Sequence, residues 1–528
     1  MNRKNKSIVI FLIALLFFYA CSYPLSQVQQ RLRSILPEEA TLKKLPPELV
    51  FTTVLLGGFR GILVNLLWLR AQQLQDDGKY FELVQLSDWI GLLQPYLPTV
   101  WIFNAWNLSY NISVKFPTGE ERWNWIYQGI KLLRDKGLKY TPDSAEIYQE
   151  LAWIQYHKIS DTSDEFNAYY KRMLAKIMED AFGDITLEEM VSNSSYEELL
   201  KDKSIETIIS SFSANQIDIL KDWNQISKDN FSVLPEKLRE LTQNPSFPKI
   251  EAYLRGKRLR EEFKMDPVFM LELEKKYFPL NWKSSAAHSL YWIEEGKRKA
   301  TDMRELDYYR MVYFSLGHLW KWGNVSVKKI NNEEVLILAP DFKVVHTLNA
   351  YYEDAIQQLE ETGEPTTGIK SSQMYWLSEV VVMAYTMNDI QFAQKYYIYL
   401  RDKYPGEIAN RSFPDYVASK FIEKLDFKET SIPNITDVLF GIMYQSYWAL
   451  VAGEDERYAD LQSLAKSVYE RTARSVSRFQ KLFPTFNALQ KSSLESSLPM
   501  MPPAIASSLR TRLGIPEPSE AENQPETK

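Results

Sequence analysis

A chain of 528 residues is long enough for two or three domains or one long repeat array, and 45% hydrophobic with 25% charged residues suits a water-soluble body with a buried core. The formal charge of −6 argues against nucleic acid as a partner, which requires a basic face to displace counterions. One cysteine, Cys21, excludes a disulfide framework and any cysteine-based zinc or iron–sulfur centre, and 19 glycines are too few for a turn-rich β architecture.

The chain opens with "MNRKNKSIVIFLIALLFFYACSYPL", a basic start (Arg3, Lys4, Lys6) and an apolar run from Ile8 to Ala20. The positive flank stays in the cytoplasm and directs the rest of the chain outward. Three readings fit. The run is a retained membrane anchor, interrupted by Ser22 and Pro24; or a cleaved secretory signal; or a lipoprotein signal with Cys21 as the lipidation site. "FYAC" supports the last by setting a small residue before the cysteine, although Phe18 stands where Leu is usual. All three place the body outside the cytoplasm. Residues 1–25 are the anchor or signal and 26–48 a juxtamembrane linker.

The next segment, Leu49 to Leu69, is almost as apolar, but Arg60 sits at its centre beside Asn65, Gly57, Gly58 and Gly61. A central Arg costs an isolated span about 2.5–3.5 kcal/mol. Tetratricopeptide (TPR) phasing, with a period of about 34 residues, explains it better. Gly57–Gly61 is then a tight entry turn and Ile62–Leu74 a first helix, with Ala71 at the small crossing position. Gly78 turns the chain, Tyr80 and Leu83 lie on the second helix, and Pro95 closes the unit. "TVWIFNAWNLSYNIS", "EERWNWIYQGIKLLRDKGLKYTP" and "AEIYQELAWIQYHKIS" continue the pattern, so 49–180 reads as N-terminal TPR-like repeats.

Residues 181–264 are polar and Ser/Asn-rich yet helix-patterned, a helical insertion. It ends in the basic helix "YLRGKRLREEFK" (Tyr253–Lys264), read as a solvated face, with contact to an anionic membrane surface as the functional alternative. Residues 265–345 form a helical region with one β-hairpin from Val325 to Leu338, where apolar and polar residues alternate. C-terminal repeats come next, over 346–510. In the cleanest, Leu377, Val380 and Ala384 face inward, Asn388 turns the chain, and Ala393, Tyr397 and Leu400 precede Pro405. A degenerate unit spans Val438 to Val468, with "AGEDERY" as its turn. Residues 511–528, rich in Pro and Glu, read as a disordered tail. A helix pair cannot bury its apolar face alone, so such units stack. The expected fold is all-α: a TPR-like α-solenoid with a helical insertion, one small β-hairpin and an N-terminal membrane segment.

The run "GGFRG…LWLRAQ…YFELVQLSDWI", followed by "AWNLSYNIS", "ELAWIQYHKI" and later "LNWKSSAAHSLYWIEEG", is similar to an uncharacterised family of membrane-anchored, TPR-like bacterial proteins. The resemblance covers roughly residues 50–180 and, more loosely, 265–320, with Lys283 where the family pattern has Arg. It implies an extracytoplasmic repeat protein with an N-terminal membrane segment and names no catalytic residue.

Chemistry-bearing motifs are sparse. His157, His288, His318 and His346 form no H-E-x-x-H and no i, i+4 pair, so no metal or cofactor site is expected. No nucleophile elbow, phosphate loop or dinucleotide fingerprint points to catalysis. Asp76, Asp77, Glu120 and Glu121 read as surface carboxylates. "GGFRG" brings Arg60 to a helix start, a candidate anion contact beside its role as a turn. Trp101, Trp106, Trp123 and Trp125 recur at helical spacing, which mostly means core; any on a concave face would serve as groove aromatics. The expected function is a non-enzymatic, membrane-anchored scaffold. It would join other proteins of the cell envelope, with the membrane held through the N-terminal segment and no nucleic acid. The alternative is a glycan-binding lipoprotein of envelope uptake or biogenesis. The repeat register predicts that Ala393→Trp overpacks a helix crossing and lowers stability by about 1–3 kcal/mol, read as the shift of a denaturant midpoint.

Overall fold

The computed structural model describes residues 59–228, 231, 233–330, 333–386, 389–424, 432–475, 485–498 and 501–516. Cys21, the expected membrane segment, the linker, Gly57, Gly58, Asn388 and residues 517–528 lie outside the described residues. The described chain is mostly helical with one antiparallel two-stranded ribbon, an all-α fold carrying a small hairpin. Among the described residues no helix is long and apolar enough to cross a membrane. The chain divides into two compact units, one ending at Tyr351 and the other beginning at Tyr352.

The first unit opens with α1 (Phe59–Asp76) and α2 (Tyr80–Leu93). Gly78 joins them with φ +70°, a left-handed backbone that glycine adopts without steric cost. Ala71 and Leu83 are fully buried between them. Helix α1 already runs at Phe59, so Gly61 is not part of an entry turn. A glycine weakens a helix by about 1 kcal/mol, and packing of the flanking residues, Val64 among them, overrides that.

Helices α3 (Pro98–Trp106), α4 (Gly119–Lys131) and α5 (Ala145–Trp153) each continue into a π-helical turn, at Asn107–Ile112, Leu132–Gly137 and Ile154–Ser160. The wider turn shifts the side-chain phase. Asn107, Ser109, Arg134, Gln155 and Lys158, all within these turns, are buried as a result.

Helix α6 (Asn167–Phe182) leads to six shorter ones: α7 (Leu187–Ser192), α8 (Tyr196–Leu199), α9 (Lys203–Ala214), α10 (Ile219–Lys228), α11 (Glu236–Leu241) and α12 (Phe247–Arg258). A capping box between Thr186 and Glu189 starts α7. Ile205, Phe212, Trp223, Leu238 and Phe247 give this stretch a core of its own. The basic helix is not the solvated face expected of it. Arg255 and Arg258 are buried, Arg255 donating to the carbonyls of Asp180 (2.8 Å) and Ala181 (3.2 Å), and Arg258 pairing with Asp180 and Glu262 at 2.8 Å each. The last carbonyls of α6 have no partners within their own helix, and these guanidinium groups satisfy them.

The unit closes with α13 (Pro267–Lys276), α14 (Ser285–Lys299), α15 (Glu305–Trp322), the hairpin β1 (Asn324–Ile330) and β2 (Glu333–Ala339), and the start of α16 (Lys343–Glu361). The register sets Val325 opposite Leu338. Every residue of α14 from Ser285 to Gly296 is buried, with α5 and α15 packed along it.

In the second unit, α17 (Thr367–Thr386) and α18 (Ile390–Lys403) form a hairpin in which Leu377, Val380, Ala384, Ala393 and Leu400 are fully buried. Asp389 caps α18 by accepting from the Phe392 N–H at 3.0 Å. Then come α19 (Pro405–Ile408), α20 (Phe413–Lys424), α21 (Ile432–Ala452), α22 (Asp455–Ser475), α23 (Phe486–Ser497) and α24 (Pro503–Leu513). Gly453 (φ +85°) turns α21 into α22, and α23 and α24 pack on α21. Helix α24 carries ordered structure to Leu513, beyond the expected start of the tail at 511, because its buried Leu509 ties the last turns down.

Glu294, buried on α14, accepts from Tyr277, from Tyr308 (2.9 Å) and from Lys276 (2.8 Å). Glu294→Ala strands two buried hydroxyls and should cost about 2–4 kcal/mol in denaturant unfolding, whereas Glu294→Gln, which keeps acceptors for them, should cost less.

Candidate functional site

The four tryptophans proposed as groove aromatics are not brought together. Trp101 is 3% exposed; its Nε1 donates to the Pro95 carbonyl at 2.8 Å and its ring stacks on Tyr140. Trp123 is 4% exposed and stacks on Tyr127 and Tyr170. Both belong to the core and are inaccessible to a ligand, because helical spacing places an aromatic on a face without saying what covers it. Trp106 is exposed and stacks on Tyr110, while Trp125 is half-buried against Phe81 and Phe116. Arg60 lies in the first turn of α1, and its side chain is outside the described residues.

The histidines are dispersed. His288 is buried, its Nε2 2.9 Å from the Trp282 carbonyl, and burial pulls its pKa down to about 4, so the ring is neutral. His157 stacks on Trp153, and His318 Nδ1 lies 3.0 Å from Ser160 Oγ. His346 is exposed. Among the described residues no group of three or more His, Cys, Asp or Glu side chains is arranged to hold a metal.

The polar interior of the first unit is structural. Burial opposes the charge of Asp164, but hydrogen bonds from Lys158 (2.7 Å), the Phe166 N–H (2.9 Å) and Tyr170 (3.0 Å) outweigh it and hold the carboxyl below its ordinary range. Glu150 on α5 has no such support. Its Oε1 is buried without a hydrogen-bond partner, and burial pushes the carboxyl from 4.5 to about 7.

The second unit carries a groove of about 650 Å³. Tyr385, Phe413, Leu461 and Ile390 form its apolar surface, with the Tyr385 and Phe413 rings edge to face at 5.8 Å. Glu454, Asp455, Glu456 and Asp460 stand around it, with Arg457 among them. Asp455 is paired with Arg512 at 2.6 Å, and Glu456 and Asp460 are solvent-exposed. Arg457 Nη1 is buried without a partner, and burial lowers the pKa of that guanidinium. A neighbouring hollow of about 350 Å³ shares Glu454 and Arg457 and adds Tyr444 and the exposed Trp448. The two together make one aromatic-lined channel along the α21–α22 turn.

By residue order "AGEDERY" reads only as a turn, and this site goes unseen. The signal present was Arg457 placed among four carboxylates directly after the strongly apolar run that ends at Gly453. No family model, curated protein or solved structure matches the chain.

The folded Glu150 carboxyl keeps its proton up to about pH 7 and the unfolded one only to about 4.5. Its contribution is therefore full below pH 4.5 and lost as pH rises through 7. Glu150→Gln removes that loss, so melting at pH 8 should gain up to about 3 kcal/mol over the parent, with little gain at pH 4.

Proposed function

We propose that this chain is a membrane-anchored, TPR-like α-solenoid scaffold of a bacterial envelope, related to the membrane-anchored TPR-like family it resembles, and that it gathers partner proteins on the periplasmic side without catalysing a reaction. The observation that carries this reading is the aromatic-lined, acid-rimmed channel of the second unit. An apolar channel with a few convergent polar groups suits a peptide or helix better than a reaction centre, which needs paired titratable groups in a closed pocket.

The lining sets the mechanism. Apolar side chains of an amphipathic segment sit on Tyr385, Phe413 and Leu461, where desolvated aromatic contacts supply most of the binding energy. Lys or Arg on the same segment face Glu456 and Asp460, which adds orientation and association rate more than affinity. The unpartnered Arg457 Nη1 is placed to donate to a backbone carbonyl of the bound segment. The fully buried Ala384 and Ala393 allow the close helix crossing that a repeat scaffold requires.

A photo-crosslinking residue at Trp448 or Phe413, followed by mild detergent extraction and mass spectrometry, tests this. The expected result is a reproducible set of envelope proteins crosslinked through basic, apolar segments and lost in Glu456→Lys/Asp460→Lys. A clean preparation without protein adducts would overturn the scaffold reading, and glycan arrays would then test the sugar-binding alternative.

A further inference from the structure

A second cavity, about 320 Å³, lies wholly in the first unit, where the π turn after α4 meets α5, α14 and Lys264, which ends the π turn Leu259–Phe263 that follows α12. Leu138, Pro142, Tyr148 and Trp292 give it apolar walls. Its charged lining is unbalanced: Arg134, Lys139, Lys264 and Lys299 against Asp135 and Glu295. Both carboxylates are already engaged. Asp135 accepts from Arg134 through two bonds (2.9 and 3.4 Å), and Glu295 pairs with Arg298 (2.6 Å) and Lys299 (2.7 Å). Lys139 and Lys264 are exposed and have no carboxylate partner among the described residues.

The backbone at Lys264 bears on the same place. Lys264 adopts a left-handed backbone (φ +55°), a position that glycine fills at roughly 1–2 kcal/mol less strain. Lys264 lines the cavity.

We propose that this cleft binds a compact organic anion. Its phosphate or carboxylate oxygens would lie between Lys139, Lys264 and the Arg134–Asp135 pair, with its apolar part against Trp292 and Leu138. The volume is at the small end of the range for small-molecule sites, about 300–1,000 Å³. Two ammonium groups without a carboxylate partner among the described residues, that of Lys139 lying over the Tyr140 ring at 5.5 Å, stand beside a guanidinium and make an oxyanion the ligand that balances the site. The site is independent of the channel in the second unit, and either can fail without the other.

Calorimetric titration of the purified full-length chain with phenyl phosphate, benzoate, inorganic phosphate and phenol tests the assignment. Phenyl phosphate or benzoate should bind one per chain, inorganic phosphate more weakly and phenol not at all, with affinity falling as salt rises. Lys139→Glu/Lys264→Glu should weaken binding roughly tenfold or more with an unchanged melting temperature, since both side chains are exposed. Lys237→Glu/Lys275→Glu, elsewhere on the surface, should leave it intact. Displacement of phenyl phosphate by phosphatidylglycerol vesicles would assign the anion to a lipid headgroup, and retention would assign it to a free solute. Absence of binding by every anion, or equal binding by the parent and Lys139→Glu/Lys264→Glu, would overturn the proposal.

Discussion

The first unit depends on one constraint: α14 is enclosed on every side, yet its buried stretch carries Ser285, His288, Ser289, Glu294 and Glu295. A helix buried all round is usually apolar all round, and each polar group on this one needs a partner. Ser289 donates to the Ala152 carbonyl at 2.8 Å, His288 meets the Trp282 carbonyl, Glu294 takes two tyrosine hydroxyls and Lys276, and Glu295 takes Arg298 and Lys299. The small residues Ala286, Ala287 and Ser289 let α5 and α15 come close enough for these bonds to form. Losing one partner would leave a desolvated group behind, so the arrangement specifies a single packing as well as stabilising it.

The same logic runs through the π turns and the inward arginines. Widening α3, α4 and α5 brings polar side chains to the interior, where Lys158 and Asp164 hold each other. Arg255 and Arg258 close the open carbonyls of α6 and tie the insertion to the rest of the first unit. One by-product of α4's π turn is the cationic cleft, since that turn sets Arg134 and Asp135 at its edge. The second unit has polar ties of its own: buried Gln373 donates to Glu353 at 2.6 Å and Tyr416 to Ser378 at 2.8 Å, and at one helical turn Arg457 and its neighbouring carboxylates border aromatic walls.

Much was legible from residue order alone. Period and punctuation gave helices almost throughout, the hairpin at Val325–Leu338, the turn at Gly78, and Ala71, Ala384 and Ala393 as buried small residues. These are local properties: apolar spacing, a glycine that accepts positive φ, a β-alternating run around a polar turn. Trp101 and Trp123 show where such reading stops. Their spacing matches that of Trp106 and Trp125, and only the covering elements, Tyr140 over one and Tyr127 with Tyr170 over the other, remove them from the surface.

Residue order thus determined helical identity, turn positions and the composition of the core, because each is decided within a few neighbouring residues. Tertiary structure alone decided which polar groups are buried, which carboxylates are already paired, and where a concavity remains. A π turn shifts the phase of a helix by a fraction of a turn, and an arginine finds its carbonyls about 75 residues away along the chain. Neither is written in local spacing. The channel beside Arg457 and the cleft beside Lys264 exist because distant helices stop short of each other, and a stretch of sequence read by itself carries no measure of that distance.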